Sequence, residues 1–260
     1  MNEYLKILQK NYNDWNLKGY CEEAQKINDK IGTEYFCVSN PHFFTGDLEA
    51  DLVLVHLNPK RNKNILTAKY DLEKNPFKTF EDYFQSYRFF GKKHYGIDSP
   101  RIHKSPFDKK QIRFIKPLNI LPFTNSDIYE DLEIVIDKKL QIELVPFGSN
   151  DFDYQKIGLE NLEPFIENII NLILSKNRKK VIFCGRVFQQ LLAKYIISEK
   201  THEFRLTKKN GDLTRDFYQF IEIAVELNGK NFNAIIAPQY AKQGAPIDEY
   251  GKKLNKLFGV

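Results

Sequence analysis

Apolar residues fall along this chain in two kinds of run, which predict two kinds of element. Residues 51–59, Asp51-Leu52-Val53-Leu54-Val55-His56-Leu57-Asn58-Pro59, are almost unbroken Val and Leu that close on an Asn-Pro corner. Such a run predicts a strand buried on both faces, as in a parallel sheet covered by helices. Lys180-Val181-Ile182-Phe183-Cys184 has the same character and runs through Gly185 into a helical stretch ending near Leu192, the strand-Gly-helix unit of doubly wound sheets. Residues 111–123 and 140–147 predict two more strands, each ending in a Pro-Phe corner, and 232–237 a last one that stops at Pro238. Asn210-Gly211 and Asn228-Gly229 are hairpin-turn dipeptides, so 203–237 should include antiparallel strands.

Helical spacing marks the remainder. Tyr4, Leu5, Leu8, Tyr12 and Trp15 share one face, with Gly19 or Gly32 as stops, which makes residues 1–45 a helical cap on the sheet. Phe77, Phe80, Phe84 and Tyr87 form an aromatic stripe on a helix that Gly91 should close. Leu162, Phe165, Ile166, Ile169, Ile170 and Ile173 give 160–176 a strongly apolar side, and 246–258 reads as a closing helix with Pro246 in its first turn. With no linker or low-complexity tract in view, the expected architecture is one domain over 1–260. Its fold class is α/β: three-layer α/β/α with a central, mostly parallel sheet.

Composition narrows the classes. The hydrophobic fraction of 42% is that of a globular chain, and no apolar run reaches the roughly 18 residues that would span a bilayer. The first residues, Met1-Asn2-Glu3-Tyr4-Leu5-Lys6, lack the apolar core of a signal peptide, so a cytoplasmic protein with no membrane partner is expected. Cys21, Cys37 and Cys184 are scattered, without metal-ligand spacing, which points to no metal and no disulfide. No cofactor is expected: Gly-x-Gly-x-x-Gly and P-loop signatures are missing, as is the Gly-x-Ser-x-Gly of serine hydrolases. The net charge of +5 permits a nucleic-acid partner without requiring one.

Clustering of charge says more than the total. Lys92, Lys93, His94, Arg101, His103, Lys104, Lys109, Lys110 and Arg113 crowd a stretch around Tyr95 that reads largely as loop. It suits a phosphate backbone, or it is an ordinary solvated loop. Lys176, Arg178, Lys179 and Lys180 lie between a helix and a strand and read as a helix C-terminus matched to its dipole.

Three strands end in polar corners: Asn58-Pro59, residues 143–150, and Pro238-Gln239-Tyr240. In open α/β sheets such ends can converge on one pocket. A carboxamide at Asn58 could orient a water or read a base edge there; equally, Asn-Pro is a common turn.

This order of parts resembles the uracil-DNA glycosylase superfamily over roughly residues 50–258. Leu57-Asn58-Pro59 is similar to the first motif of its mismatch-specific branch, with His56 and Lys60 in place of two glycines. Tyr70 stands where the family places an aromatic that stacks on the flipped base, and Asn75-Pro76-Phe77 looks like the opening of its next helix. Residues 142–149 resemble the strand that supplies the base-reading side chain, and 181–188 the family's strand, Gly turn and helix. Ala237-Pro238-Gln239-Tyr240-Ala241-Lys242 corresponds to the final motif, where Ala237 departs from the family's His or Asn.

The resemblance implies a monofunctional DNA glycosylase that flips a nucleotide, hydrolyses its N-glycosidic bond and leaves an abasic site, acting as a monomer on duplex or single-stranded DNA. Asn58 would hold the attacking water, with Asp151 (or Asp153) as a carboxylate able to activate it. Tyr70, Phe147, His56 and Glu143 would bind the base. Lys60, Arg61, Gln239, Tyr240 and Lys242 would contact the DNA. A carboxylate at Glu143 can accept from the exocyclic amino group of cytosine and would repel the uracil O4, although the residue can also be read as a buried Glu paired with a Lys or Arg. The implied substrate is a modified cytosine, such as glucosylated hydroxymethylcytosine removed from phage DNA in bacterial defence. A uracil or mismatch repair glycosylase, a non-catalytic nucleic-acid binding module, and a small-molecule enzyme such as a nucleoside hydrolase are the alternatives.

Overall fold

The computed structural model describes residues 3–60, 75–101, 105–208, 210–239 and 247–258. Two helices, α1 (Glu3–Lys18) and α2 (Glu22–Ile31), lead into β1 (Phe44–Gly46) and β2 (Leu52–His56). Then follow α3 (Phe80–Arg88), α4 (Phe90–Tyr95), α5 (Pro106–Ile115), α6 (Ile128–Asp137) and β3 (Leu140–Glu143). The chain continues through α7 (Tyr154–Ile157), α8 (Leu159–Leu174), β4 (Lys180–Cys184) and α9 (Phe188–Leu191), then β5 (Ile196–Phe204), β6 (Tyr218–Leu227), β7 (Lys230–Ala237) and α10 (Ile247–Leu257). The seven strands form one sheet in the order β1-β3-β2-β4-β7-β6-β5. The expected parallel sheet holds for the centre, where β3, β2, β4 and β7 run parallel, while β1 on one side and β6 and β5 on the other are antiparallel.

The side-chain period of two along each central strand divides the core. Val53, Val55, Val181, Phe183 and Ile236 point to one face, where they meet Tyr4, Leu8 and Trp15 of α1 and the apolar side of α8. Leu52, Leu54, Ile182, Cys184 and Ile235 point to the other, against Ile112 and Ile115 of α5, Leu132 and Val135 of α6, and Leu254 of α10. No helix among the described residues is long and apolar enough to cross a membrane.

Several sequence expectations are corrected. Residues 111–115 are helix, not strand: Ser105 caps α5 by accepting from the Asp108 N–H, Pro106 occupies its first turn, and Gln111, Ile112, Phe114 and Ile115 are buried at helical rather than alternating positions. The basic stretch is therefore mostly helical, with Lys92, Lys93 and His94 on α4 and Lys109, Lys110 and Arg113 on α5; His103 and Lys104 lie outside the described residues. Gly91 does not stop a helix but sits inside α4, where a Cβ would come within 2.7 Å of the Glu133 carbonyl oxygen and 2.8 Å of Asp137 Oδ1. Its N–H donates to that carboxylate at 2.6 Å, and the neighbouring Lys92 N–H does the same at 2.7 Å, so Asp137 caps α4 from a distance in sequence. The aromatic helix starts later than the stripe suggested, at Phe80, because Thr79 and Asp82 form a capping box. Asn228-Gly229 turns the β6–β7 hairpin as expected, both residues having positive φ.

Gly46 closes β1 against β3 at φ +96°, and a Cβ there would lie 2.0 Å from the Lys139 carbonyl oxygen. Gly46→Ala should therefore cost roughly 3 kcal/mol in urea unfolding by combining positive-φ strain with a backbone clash, and a loss under about 1 kcal/mol would contradict this packing.

Candidate functional site

At the C-terminal ends of the parallel strands lies a cavity of about 520 Å³, lined by His42, His56, Leu57, Asn58, Pro59, Lys60, Phe107, Gln141, Glu143 and Gln239. The register explains the gathering. His56 and Glu143 are direct partners in the parallel β2–β3 ladder, so their side chains emerge on the same face. The chain leaves the sheet one step further along β2, and Asn58 is left half-buried at the rim. The Leu144 and Val145 N–H groups still donate to the His56 and Leu57 carbonyls at 2.8 and 2.9 Å, which keeps the two strand ends parallel beyond the formal strand.

Asn58 is held at its nitrogen. Its Nδ2 donates to Ser149 Oγ at 2.7 Å and to the Phe147 carbonyl at 3.2 Å. A carbonyl can only accept, so the amide cannot be turned around, and Oδ1 is the end left without a partner among the described residues. Ser149 Oγ in turn donates to the Asp151 carbonyl, so the Asn58 amide is anchored to the loop after β3 on a hydroxyl that is itself fixed. A fixed carboxamide oxygen at a cavity rim can hold a water or accept from a ligand N–H.

The floor is a row of polar side chains on a sheet face that is otherwise mostly apolar, with Leu52, Leu54, Ile182 and Cys184 on it. Glu143 is only 6% exposed, and Gln141 Nε2 donates to its Oε1 at 2.8 Å. Gln141 Oε1 accepts from Gln111 Nε2 at 2.9 Å and from Lys139 Nζ at 3.3 Å. Burial pushes the Glu143 carboxyl up to about 7, against the partial relief that the Gln141 hydrogen bond and the Lys139 charge supply. Burial likewise brings Lys139 down to about 8, and it lowers His56 to about 3, with the nearby Lys139 charge adding to it. At neutral pH, then, His56 is uncharged and Glu143 exchanges between a donor and an acceptor. The alternative reading of Glu143 as a buried carboxylate paired with a Lys or Arg finds no such pair among the described residues: its bonded neighbour is an amide. Phe107 forms one wall, its ring 5.6 Å from that of His56 at 68°, and His42 Nε2 is fixed on Thr45 Oγ1 at 2.9 Å.

Five residues expected from the sequence thus share the cavity: His56, Asn58, Lys60, Glu143 and Gln239. Others do not. Phe147 is fully buried among core residues including Phe36 and Phe165, and touches the site only through its backbone carbonyl. Asp151 is exposed and not among the lining residues; its carbonyl, not its carboxylate, takes part, by accepting from Ser149 and Tyr35. Asp153 is the N-cap of α7. Ala237 is fully buried at the end of β7, leading to Gln239 at the rim. Tyr70, Arg61, Tyr240 and Lys242 lie outside the described residues. Phe107, His42, Gln141 and Ser149 were missed. Gln141 had a signal, since Gln-x-Glu at period two inside a buried strand marks a polar row on one face. Phe107 was hidden by reading the start of α5 as loop.

A larger groove of about 770 Å³ lies at the opposite ends of β4 and β7 and is lined in part by Lys176, Arg178, Lys179 and Lys230. Three of these cations are committed: Arg178 to the Ala50 and Leu48 carbonyls, Lys179 to Asp51 and Lys176 to Glu49. The patch clamps the end of α8 to the β2 side of the sheet rather than only matching a helix dipole. Among the described residues no group of three or more His, Cys, Asp or Glu side chains could hold a metal ion. Comparison with family models, curated proteins and solved structures finds no match to this chain.

The buried carboxyl couples the site to stability. The fold favours neutral Glu143, so its contribution is fully present below the ordinary carboxyl value of 4.5 and is lost as pH rises through about 7. Glu143→Gln removes that dependence. Relative to the parent protein it should gain roughly 1–3 kcal/mol between pH 5 and pH 8 in thermal or urea unfolding. The His56 contribution, lost as pH falls from 6.5 toward about 3, is common to both proteins and cancels. A difference that stays flat across this range would mean that the carboxyl is solvated.

Proposed function

We propose that this protein is an N-glycosyl hydrolase that excises a cytosine-type base from DNA, with a three-layer arrangement like that of the uracil-DNA glycosylases. One observation carries the reading: an oriented carboxamide oxygen at Asn58 and a buried carboxyl at Glu143 line the same cavity, at the ends of adjacent parallel strands. At about 520 Å³ the cavity falls in the roughly 300–1,000 Å³ range of small-ligand pockets. That leaves room for a pyrimidine bearing a substituent.

The chemistry required is modest. The N1–C1′ bond breaks with its electron pair going to the base, a water adds to C1′, and that water gives up a proton to solvent. Asn58 Oδ1 accepts from the water and orients it without acting as a strong base. Glu143 in its neutral form donates its proton from Oε2 to N3 of the departing ring, which neutralises the charge arriving there; in its ionised form it can only accept from the exocyclic amino group. Discrimination against uracil is then itself pH-dependent, since a neutral carboxyl can donate to O4. Phe107 offers an aromatic face beside the base, and Lys60 and Gln239 stand exposed at the mouth for the flanking backbone. Uncharged His56 adds no positive charge to the floor.

Oligonucleotides carrying cytosine, 5-methylcytosine, hydroxymethylcytosine, its glucosylated form, uracil or hypoxanthine test this, with abasic sites revealed by alkaline cleavage. Breaks are expected at a cytosine derivative, faster below about pH 7 than above it. Asn58→Ala should slow excision roughly 10²- to 10³-fold with DNA binding retained, the scale of losing one oriented polar group. Breaks on none of these substrates would defeat the proposal, and base release from free nucleosides alone would move the assignment to a nucleoside hydrolase.

A further inference from the structure

Lys139 is fully buried immediately before β3, and its Nζ makes a single hydrogen bond among the described residues, to the neutral Gln141 amide. A core ammonium with no carboxylate in ion-pair reach among the described residues is retained against its desolvation cost. The row it starts is Lys139, Gln141, Glu143, every second residue on one face of a strand whose other face is apolar.

We propose that Lys139 is a positioning residue for the cavity: acting through the Gln141 carboxamide, it determines which way the Glu143 carboxyl presents its hydrogen-bonding groups. A carboxamide can be placed in either of two orientations. Gln111 does not decide between them, because its own amide could turn to match; its Oε1 is buried and without a partner among the described residues, ready to accept if Gln141 were reversed. Lys139, as an ammonium, can only donate. It therefore holds Gln141 Oε1 toward itself, which turns Gln141 Nε2 toward Glu143 Oε1 and occupies that oxygen as an acceptor. Oε2 is left without a partner among the described residues, and any proton on the carboxyl resides there. Reversal of Gln141 would instead present an acceptor to Glu143 and draw its proton away from Oε2. The importance of this for catalysis rests on the glycosylase reading; the orientation itself does not.

The other titratable groups that act on this row are Asp108 on α5, Asp137 at the end of α6, Cys184 on β4, His56 on β2 and the Tyr4 phenol from α1. Asp108 is occupied by the Tyr95 hydroxyl at 2.7 Å and Asp137 by the start of α4, so neither closes on Lys139.

The test uses the full chain without DNA and follows the Glu143 side-chain carboxyl by carbon NMR, assigned by its loss in Glu143→Gln. Lys139→Met should raise the Glu143 midpoint by about one pH unit, whereas Gln111→Leu should leave it in place. Repeating Lys139→Met in a Gln141→Met background separates relay from simple charge removal: the relay predicts a shift less than half as large there, and an equal shift overturns it. Should Lys139→Met not fold, the parent protein decides alone, since contacts of the Gln141 amide protons to Glu143 are expected and contacts to the Lys139 ε-methylene would overturn the proposal. Because no substrate is present, a failure to excise any base would sink the glycosylase reading while leaving this result intact.

Discussion

Everything proposed for this molecule depends on the register of two parallel strands. Val53 pairs with Leu140 and His56 with Glu143, so the period-two rule puts Leu54 and His56 on the same side of the sheet as Gln141 and Glu143. A slip by one residue would send Gln141 and Glu143 into the apolar face that α1 and α8 cover, and would bring Ile142 to the cavity. That slip is opposed by the burial of Val53, Val55, Leu140 and Ile142 on the far face, all of them essentially inaccessible to water. The polar row is thus held in place by the apolar residues between its members.

The consequence is a site whose chemistry and instability share one cause. Burial makes Glu143 able to hold a proton near neutral pH, and burial is also what makes its ionised form unfavourable. The amide of Gln141 relieves part of this without supplying a full countercharge, which would push the carboxyl back toward permanent ionisation and remove its capacity to donate. Asn58 is treated differently. It lies at the rim, half-exposed, and gains its fixed geometry from the Phe147 carbonyl and the Ser149 hydroxyl rather than from enclosure.

Much of this was legible in the chain. Strands at 52–56 and 180–184, and the 232–237 part of β7, stand out because they are short, largely apolar and closed by Pro or Gly corners, and the hairpin at Asn228-Gly229 follows from two residues that tolerate positive φ. The helix over 106–115 was obscured because Ile112, Phe114 and the Ile120-Leu121 pair mimic alternation when the Ser105-Pro106 start signal is passed over. Helix α6 carried no strong punctuation at its end. In the site, Asn58 and Glu143 were visible as polar residues that close apolar strands. Phe147 and Asp151 misled because closeness in sequence to a strand end does not say which way a side chain turns: Phe147 turns into the core and Asp151 out to solvent. His42 and Ser149 reach the site by loop geometry, which leaves no pattern in composition or spacing.

The central claim is that Asn58 and Glu143 face one chamber that admits a cytosine ring. It is tested most directly by adding free cytosine or hydroxymethylcytosine to labelled protein and following the Asn58 side-chain amide and the Glu143 carboxyl together by NMR. Both signals should shift along one saturation curve, and more strongly than with thymine. Signals that stay still, or that move with unrelated affinities, would show that the two groups do not share a ligand.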